Sequence, residues 1–226
     1  MRNYKIILFD LDGTLSDPKV GITKSVQYAL QKMNIVESNL NKLESFIGPP
    51  LQESFAYFYA LDEKSTKKAV DYYRERFVEN GMFENELYLH IPRLLERLKQ
   101  QQKILVVATS KPTVFAEQIL KYFKIDQYFK LVVGSNLNGT RTSKTEIIQY
   151  ILERYKDYRE EDFIMIGDRK HDLIGANNTG IDSIGVTYGY GSFEELNQEN
   201  PTHIANTVEE LENLLLANNT QVISKG

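Results

Sequence analysis

Apolar residues along this chain follow two different periods, and the change from one to the other divides it. Short, mostly apolar runs occur at Ile6-Ile-Leu-Phe9, Ile104-Leu-Val-Val-Ala108, Leu131-Val-Val133, Phe163-Ile-Met-Ile166 and Ser183-Ile-Gly-Val186. Each has the length of a strand buried on both faces. From residue 91 onward these runs alternate with segments of helical spacing: 91–101 with Leu94, Leu95 and Leu98 inward, then 114–123, 144–155, 172–178, 193–197 and 208–216. His203-Ile204 reads as an edge strand. Strands alternating with helices predict a doubly wound parallel sheet, Rossmann-like in class.

Residues 17–80 carry no strand signal. Ile22, Val26, Leu30 and Met33 recur at helical spacing, and Gly48-Pro49-Pro50 forms a firm break. Leu51, Phe55 and Phe58 mark a second helix. A third is expected over 63–80, with Ala69, Tyr73 and Phe77 on one face and Asn80-Gly81 closing it. The expected organisation is therefore an α/β core of residues 1–16 and 86–226, with an all-helical cap of residues 17–85 inserted after the first strand. Residues from Ala217 onward are expected to fray.

Composition narrows the function. A net charge of −4 disfavours a nucleic-acid polymer as partner. The absence of cysteine excludes disulfides, zinc–thiolate sites and cysteine nucleophiles. No apolar run has the length of a membrane span, and Met1-Arg2-Asn3 leads straight into the first strand. A cytoplasmic protein without a membrane partner is expected, monomeric or weakly dimeric.

The first strand ends in chemistry. Asp10-Leu-Asp12-Gly13-Thr14-Leu places two carboxylates where open α/β sheets bind ligands, beyond the carboxyl ends of strands. One carboxylate can attack phosphorus as a nucleophile, and the other can shuttle the leaving group's proton. Three further candidates follow. Thr109 and Ser110 end the second strand, where a hydroxyl and free N–H groups can bind a phosphoryl oxygen or simply cap the strand. Lys144 opens a helix and can offset repulsion between a carboxylate and a phosphoryl group, with Arg141 as a rival. Asp168 ends the Phe163–Ile166 run, and Asp172 lies one helical turn on, either orienting a metal-bound water or Lys144, or capping the helix.

These four motifs, in this order, resemble those of the haloacid dehalogenase-like hydrolases, and the resemblance covers the whole chain. It implies a Mg²⁺-dependent phosphatase acting on a small phosphate ester. In that reading Asp10 is the nucleophile that becomes an aspartyl-phosphate, and Asp12 is the general acid and base. Thr109, Ser110 and Lys144 bind phosphate. Asp10, Asp168 and Asp12, the last through its backbone carbonyl, hold Mg²⁺, with Asp172 in support. The pattern is similar to the phosphoglycolate phosphatase-like branch with a helical cap. Within that branch, Phe46-Ile-Gly-Pro-Pro-Leu51, the Ala108-Thr-Ser-Lys-Pro112 run and Gly167-Asp-Arg-Lys resemble a 5′-nucleotidase-like subgroup. Thr109-Ser-Lys-Pro112 stands where the branch often has Thr-Asn-Lys-Pro, Tyr88-Leu-His90 where it often has Tyr-Pro-Gly, and Lys144-Thr145 where it often has Lys-Pro, which puts phosphoglycolate itself in doubt as substrate. Leaving-group contacts are expected from Gly48, Pro49, Pro50 and Arg74. Arg74 and Arg76 cannot share a helix face, and Tyr57, Tyr59, Tyr72 and Tyr73 are expected mainly to pack. A phosphomutase of the same fold and a catalytically retired ligand-binding member are the competing functions.

Overall fold

The computed structural model describes residues 2–216. In chain order it begins with β1 (Ile6–Phe9), β2 (Ser16–Asp17), α1 (Lys19–Lys32), α2 (Leu51–Tyr59), α3 (Glu63–Arg76) and β3 (Glu86–Leu87). There follow α4 (Ile91–Gln100), β4 (Ile104–Pro112), α5 (Thr113–Tyr122), β5 (Phe129–Ser135), α6 (Lys144–Arg154) and β6 (Phe163–Gly167). The chain continues through α7 (Lys170–Thr179), β7 (Asp182–Val186), α8 (Phe193–Asn197), β8 (His203–Ala205) and α9 (Val208–Leu216).

β1 is the centre of the main sheet because all four of its residues are apolar and can be buried on both faces. It pairs in parallel with β4 on one side and β6 on the other. The sheet has the order β5-β4-β1-β6-β7-β8, and every pairing in it is parallel. The core is thus an α/β doubly wound sheet, as the alternating pattern predicts. Successive strand residues face opposite ways, so the apolar runs feed two separate cores. Ile6, Leu8, Val106 and Met165 pack against Ile147, Ile148 and Ile151 of α6. Ile7, Phe9, Val107 and Ile166 pack in a second cluster with Leu94, Leu95 and Leu98 of α4.

The helices α1 to α3 lie between two very short strands. β2 and β3 pair antiparallel, Ser16 with Leu87 and Asp17 with Glu86, so the chain leaves the core and returns to it side by side. This pair carries no sequence signal, since two residues cannot show an alternating pattern. A 3₁₀ turn at Leu40–Phe46 precedes the Gly48-Pro49-Pro50 break.

Two element ends differ from the pattern-based expectation. The third helix is α-helical only to Arg76, and Phe77–Gly81 continues it as a π-helical turn with the Met82 N–H donating to the Phe77 carbonyl at 2.8 Å. A wider turn keeps the same apolar spacing, so periodicity cannot distinguish the two. β4 runs on to Pro112, with its register against β5 shifting between Ala108 and Pro112. Those four residues are polar or proline and read as loop, yet the irregularity is what turns their side chains toward the sheet's end. The tail from Ala217 lies outside the described residues.

Ile151 is fully buried between α6 and the sheet, whereas Tyr57 is 82 % exposed. Ile151→Ala is expected to lower unfolding stability by about 2–5 kcal/mol, from lost transfer energy and the cavity left behind. Tyr57→Ala is expected to stay within about 0.5 kcal/mol. Urea unfolding of the two variants checks both values.

Candidate active site

Register sets the site. Phe9 pairs with Val107 and Ile166, so Asp10, Ala108 and Gly167 leave three adjacent strands at one level. The order in which strands are added reverses here, β4 and β5 lying to one side of β1 and β6 to β8 to the other, which is where such sheets form a crevice. Four carboxylates collect there, and Asp10, Asp12, Asp168 and Asp172 are all at least nine-tenths buried.

Lys144 ties two of them together. The Ser143 hydroxyl accepts the Glu146 N–H and the Glu146 carboxylate accepts the Ser143 N–H, a reciprocal cap that fixes where α6 begins. Lys144 is therefore held at the first helical position, 4 % exposed. Its Nζ lies 2.8 Å from Asp10 Oδ1 and 2.5 Å from Asp172 Oδ1, and it donates to the Ala108 carbonyl at 2.8 Å. Burial pulls its pKa down, but the two carboxylates outweigh that and hold the ammonium above the ordinary lysine value. Arg141 is turned away: it donates to the Gly134 carbonyl and lies over the Tyr150 ring. Asp172 is not the helix cap. Arg169 occupies that position, and Asp172, in the first turn of α7, accepts the Arg169 N–H at 3.1 Å.

Asp168 has no cation of its own. Its carboxylate accepts the Tyr190 N–H at 2.8 Å and the Thr14 hydroxyl at 3.4 Å. Gly13, at φ +80°, passes directly beside it, and a Cβ there would fall 2.1 Å from Asp168 Oδ2. Only glycine permits that approach. Burial, with Asp172 and Asp10 nearby, pushes the Asp168 carboxyl well above the usual carboxylate range. Burial also pushes Asp172 up, to about 6. Oxygen atoms of Asp10, Asp168 and Asp172 lie within 4.8 Å of one another. An all-oxygen donor set with an unneutralised carboxylate fits a hard divalent cation such as Mg²⁺.

Asp12 faces the other way. Its carboxylate is 2.8 Å from Lys111 Nζ, and both side chains are nearly buried. Its second oxygen, Oδ1, is buried without a hydrogen-bond partner. Burial pushes the Asp12 carboxyl up while Lys111 pulls it back, leaving it raised. Lys111 was visible in the sequence only as part of the Thr-Ser-Lys-Pro run, without a role. It also lies 4.5 Å over the Phe77 ring, bridging the sheet's end and the π-helical turn. The Thr109 hydroxyl is buried and accepts the Lys111 N–H at 3.3 Å.

Beyond these residues a cavity of about 70 Å³ opens. Asp12, Ser110 and Lys111 line one side, and Gly48, Pro49, Pro50, Gln52, Tyr73 and Arg74 line the other. All four leaving-group candidates from the helical segment thus line the same cavity as Asp12. Arg76 points elsewhere, to Glu84 and Ser25. Of the four tyrosines, Tyr73 lines the cavity stacked on Phe77, while Tyr59 packs against Phe46 and Tyr57 is exposed. Gln52 and Arg74 also border an open groove of about 800 Å³ between α2, α3 and residues 137–138. His90 pairs with Glu209 on the surface, away from the carboxylates. Among the described residues no helix is long and apolar enough to cross a membrane.

The arrangement has relatives. The family profile of haloacid dehalogenase-like hydrolases matches residues 7–186. A 5′-nucleotidase of Pseudomonas aeruginosa is 50% identical over 200 residues, covering 88% of this chain and 90% of its own. A phosphoglycolate phosphatase of Vibrio parahaemolyticus is 28% identical over 93% of this chain and 95% of its own. The crystal structure of a predicted phosphatase from Clostridium acetobutylicum superposes with a TM-score of 0.92 at 49% identity, covering 96% of this chain and all of that one.

Raised carboxyl pKa values have a consequence for stability. Between the unfolded value near 4 and the folded value of about 6 at Asp172, the folded chain holds more protons, so stability falls as pH rises through that window. Above it the ionised cluster destabilises the fold fully, and a bound cation relieves that cost only there. Millimolar Mg²⁺ is therefore expected to raise the melting temperature at about pH 7.5 and much less at about pH 5.5. Asp168→Asn should remove the gain. Differential scanning fluorimetry at the two pH values measures it.

Proposed function

The chain belongs to the haloacid dehalogenase-like hydrolases and is a phosphatase, and from that premise we propose that it hydrolyses a small soluble phosphomonoester through an aspartyl-phosphate on Asp10. The observation that carries this is the placement of Lys144. One buried ammonium contacts the Asp10 carboxylate at 2.8 Å at the centre of the sheet's carboxyl edge, with the cavity beyond. An anionic nucleophile must approach an anionic phosphoryl group, and a fixed cation there lowers that repulsion in a water-poor site.

The steps follow from the residues. An oxygen of Asp10 attacks phosphorus, and the ester P–O bond breaks. Asp12, whose raised pKa favours carrying a proton, donates it to the departing oxygen. Asp12 then takes a proton from water, whose oxygen attacks phosphorus, and the Asp10–phosphorus bond breaks to release phosphate. Lys144, the Thr109 hydroxyl and the Ser110 region bind phosphoryl oxygens. Asp10, Asp168 and the Asp12 backbone carbonyl would hold Mg²⁺, which supplies charge neutralisation to the transferring group. Asp172 holds Lys144 in line from behind.

Residues 17–85 act in this reading as a cap over the leaving group. The cavity takes the phosphoryl group and little more. A larger leaving group passes Gln52 and Arg74 into the adjoining groove, whose wall includes Leu61 and Val70 beside Glu53, Glu63 and Asp71. That space, with the likeness to a 5′-nucleotidase, favours a nucleoside 5′-monophosphate over phosphoglycolate.

Two measurements test the proposal. Phosphate release from phosphoglycolate, nucleoside 5′-monophosphates and sugar phosphates, with Mg²⁺ or EDTA, should show metal dependence and a preference for the nucleotides. Release unaffected by EDTA would remove the metal role. Asp10→Asn should lower kcat by about 10³-fold or more, since no alternative nucleophile stands in its place. In the first step, read as the pre-steady-state burst of leaving group, Asp12→Asn should slow alkyl esters about 10²–10⁴-fold but p-nitrophenyl phosphate much less, because only the poor leaving group needs the proton and the later hydrolysis is common to both. Equal losses on both substrates would sink the acid role.

A further inference from the structure

Arg169 follows Asp168 directly, yet it takes no part in the chemistry above. Its backbone N–H donates to Asp172, so its position is fixed between two residues of the carboxylate cluster. Its side chain runs toward the helical segment instead. Nη1 donates to the Ile47 carbonyl at 2.7 Å, and Nε donates to Glu195 Oε1 at 2.9 Å. The Glu195 carboxylate also accepts the Lys170 N–H at 3.0 Å, which holds it at the start of α7. The guanidinium is therefore buttressed on the core side and extends its other arm to the loop that begins Gly48-Pro49-Pro50.

That loop is shaped to receive it. Gly48 has φ +103°, and a Cβ there would fall 2.9 Å from Arg169 Cγ. The arginine stem lies against the position that glycine leaves open. The Arg169 side chain is 16 % exposed, so the bond to Ile47 is largely shielded from water. Among the described residues it is one of two side-chain hydrogen bonds between residues 17–85 and the rest of the chain, and the one that lies away from the junction. Several charged side chains of that segment pair within it, as in Lys19–Glu44, Arg76–Glu84 and Lys24–Glu84. Closer to the junction, Tyr190 donates to Asp17 and Tyr188 to the Thr14 carbonyl.

We propose that Arg169 is a catch: a positioning residue that fastens the Ile47–Pro50 loop over the phosphoryl site, with Glu195 holding the catch in place. Gly48, Pro49 and Pro50 wall the cavity opposite Asp12 and Ser110. The arginine therefore sets how tightly the leaving group is enclosed without touching the reacting atoms. Because Arg169 is bonded to Asp172 through its backbone, the fit of the lid is referenced to the same turn that supports Lys144. Two rigid prolines after Gly48 carry the fixed position of Ile47 onward to the cavity wall.

The catch rests on the phosphatase reading only for its kinetic consequence; its structural consequence stands apart. Hydrogen exchange of Arg169→Gln, followed by mass spectrometry, should show residues 47–52 exchanging about tenfold faster or more, as loss of one charge-assisted bond implies. Exchange over β6 and α7 should be unchanged. Glu195→Gln should move the same loop in the same direction by less, and the double variant should not exceed Arg169→Gln alone. In turnover, Arg169→Gln should lower kcat/KM about tenfold more for a bulky ester such as phenyl phosphate than for acetyl phosphate, whose leaving group barely reaches the loop. Unchanged exchange over 47–52 would overturn the catch, and so would deprotection spreading through β6 and α7, which would mark a general packing role. Equal kinetic losses on both substrates, with faster loop exchange, would leave a catch that does not govern leaving-group fit and so overturn that part. Absence of turnover in the unsubstituted protein would fault the phosphatase reading, while the exchange result would still decide the catch.

Discussion

Burying Asp10, Asp12, Asp168 and Asp172 at one edge of the sheet is the constraint from which the rest of the site follows. Two ammonium groups, Lys111 and Lys144, stand against these four carboxylates, a formal excess of two negative charges. Isolated buried charges are strongly unfavourable, and proteins relieve them by pairing, protonation or metal binding. Pairing and raised carboxyl pKa values both occur here. Asp10 and Asp172 pair with Lys144. Asp12 pairs with Lys111 and is raised toward protonation. Asp168 has only neutral donors, and its burial and its neighbours raise it well above the usual range. A phosphate ester would add still more negative charge, and the clustered oxygens of Asp10, Asp168 and Asp172 suit a divalent cation that would offset it.

The fold can sustain this because its stabilising burial lies elsewhere. The two cores on either face of the sheet are made of fully buried aliphatic side chains from β1, β4 and β6 and the helices that cover them. Each such residue contributes about 1.5–3 kcal/mol when fully buried. The carboxylates sit only at the strand ends, where the backbone ladder stops and free N–H groups become available. Leu11 N–H bonds to Asp10, Tyr190 N–H to Asp168 and Arg169 N–H to Asp172, so three of the four carboxylates are steadied by main chain, and for Asp168 this takes the place of a cation.

The sheet, its parallel class and the carboxylate cluster were legible in the sequence because each rests on a local pattern. An apolar run followed by Asp-x-Asp-Gly, or by Gly-Asp, states both the strand and what stands at its end. The reciprocal cap at Ser143 and Glu146 likewise marks Lys144 as the start of a helix. What could not be read depends on contacts between distant segments. Lys111 belongs to an irregular strand end, and its partners Asp12 and Phe77 come from elsewhere in the chain. Arg169 is visible in the sequence only as part of the Gly167-Asp-Arg-Lys run, and its bond to Ile47 spans 122 positions. The β2–β3 pair is too short to have any pattern. The π-helical turn at Phe77–Gly81 is a single turn of five residues, too short to show a period of its own.

These long-range contacts share a direction: each joins the sheet's chemical edge to the helical segment. Lys111 reaches Phe77 at one side of the cavity, and Arg169 reaches Ile47 at another. Both cations start within two residues of a strand-end group, Thr109 or Asp168, to which the proposed chemistry assigns a role. A core that performs phosphoryl transfer needs only its own strand ends, which explains why those residues carry compact motifs. A cap that selects a leaving group must be placed to within a fraction of an ångström relative to that core. The apolar contact between the two is continuous: Ile22, Phe46 and Phe77 of the helical segment belong to the same buried cluster as Phe9 and Val107 of the sheet. Apolar packing holds the segment on the core but has no direction, whereas the Arg169 hydrogen bond does, so the arginine orients an interface that burial already holds.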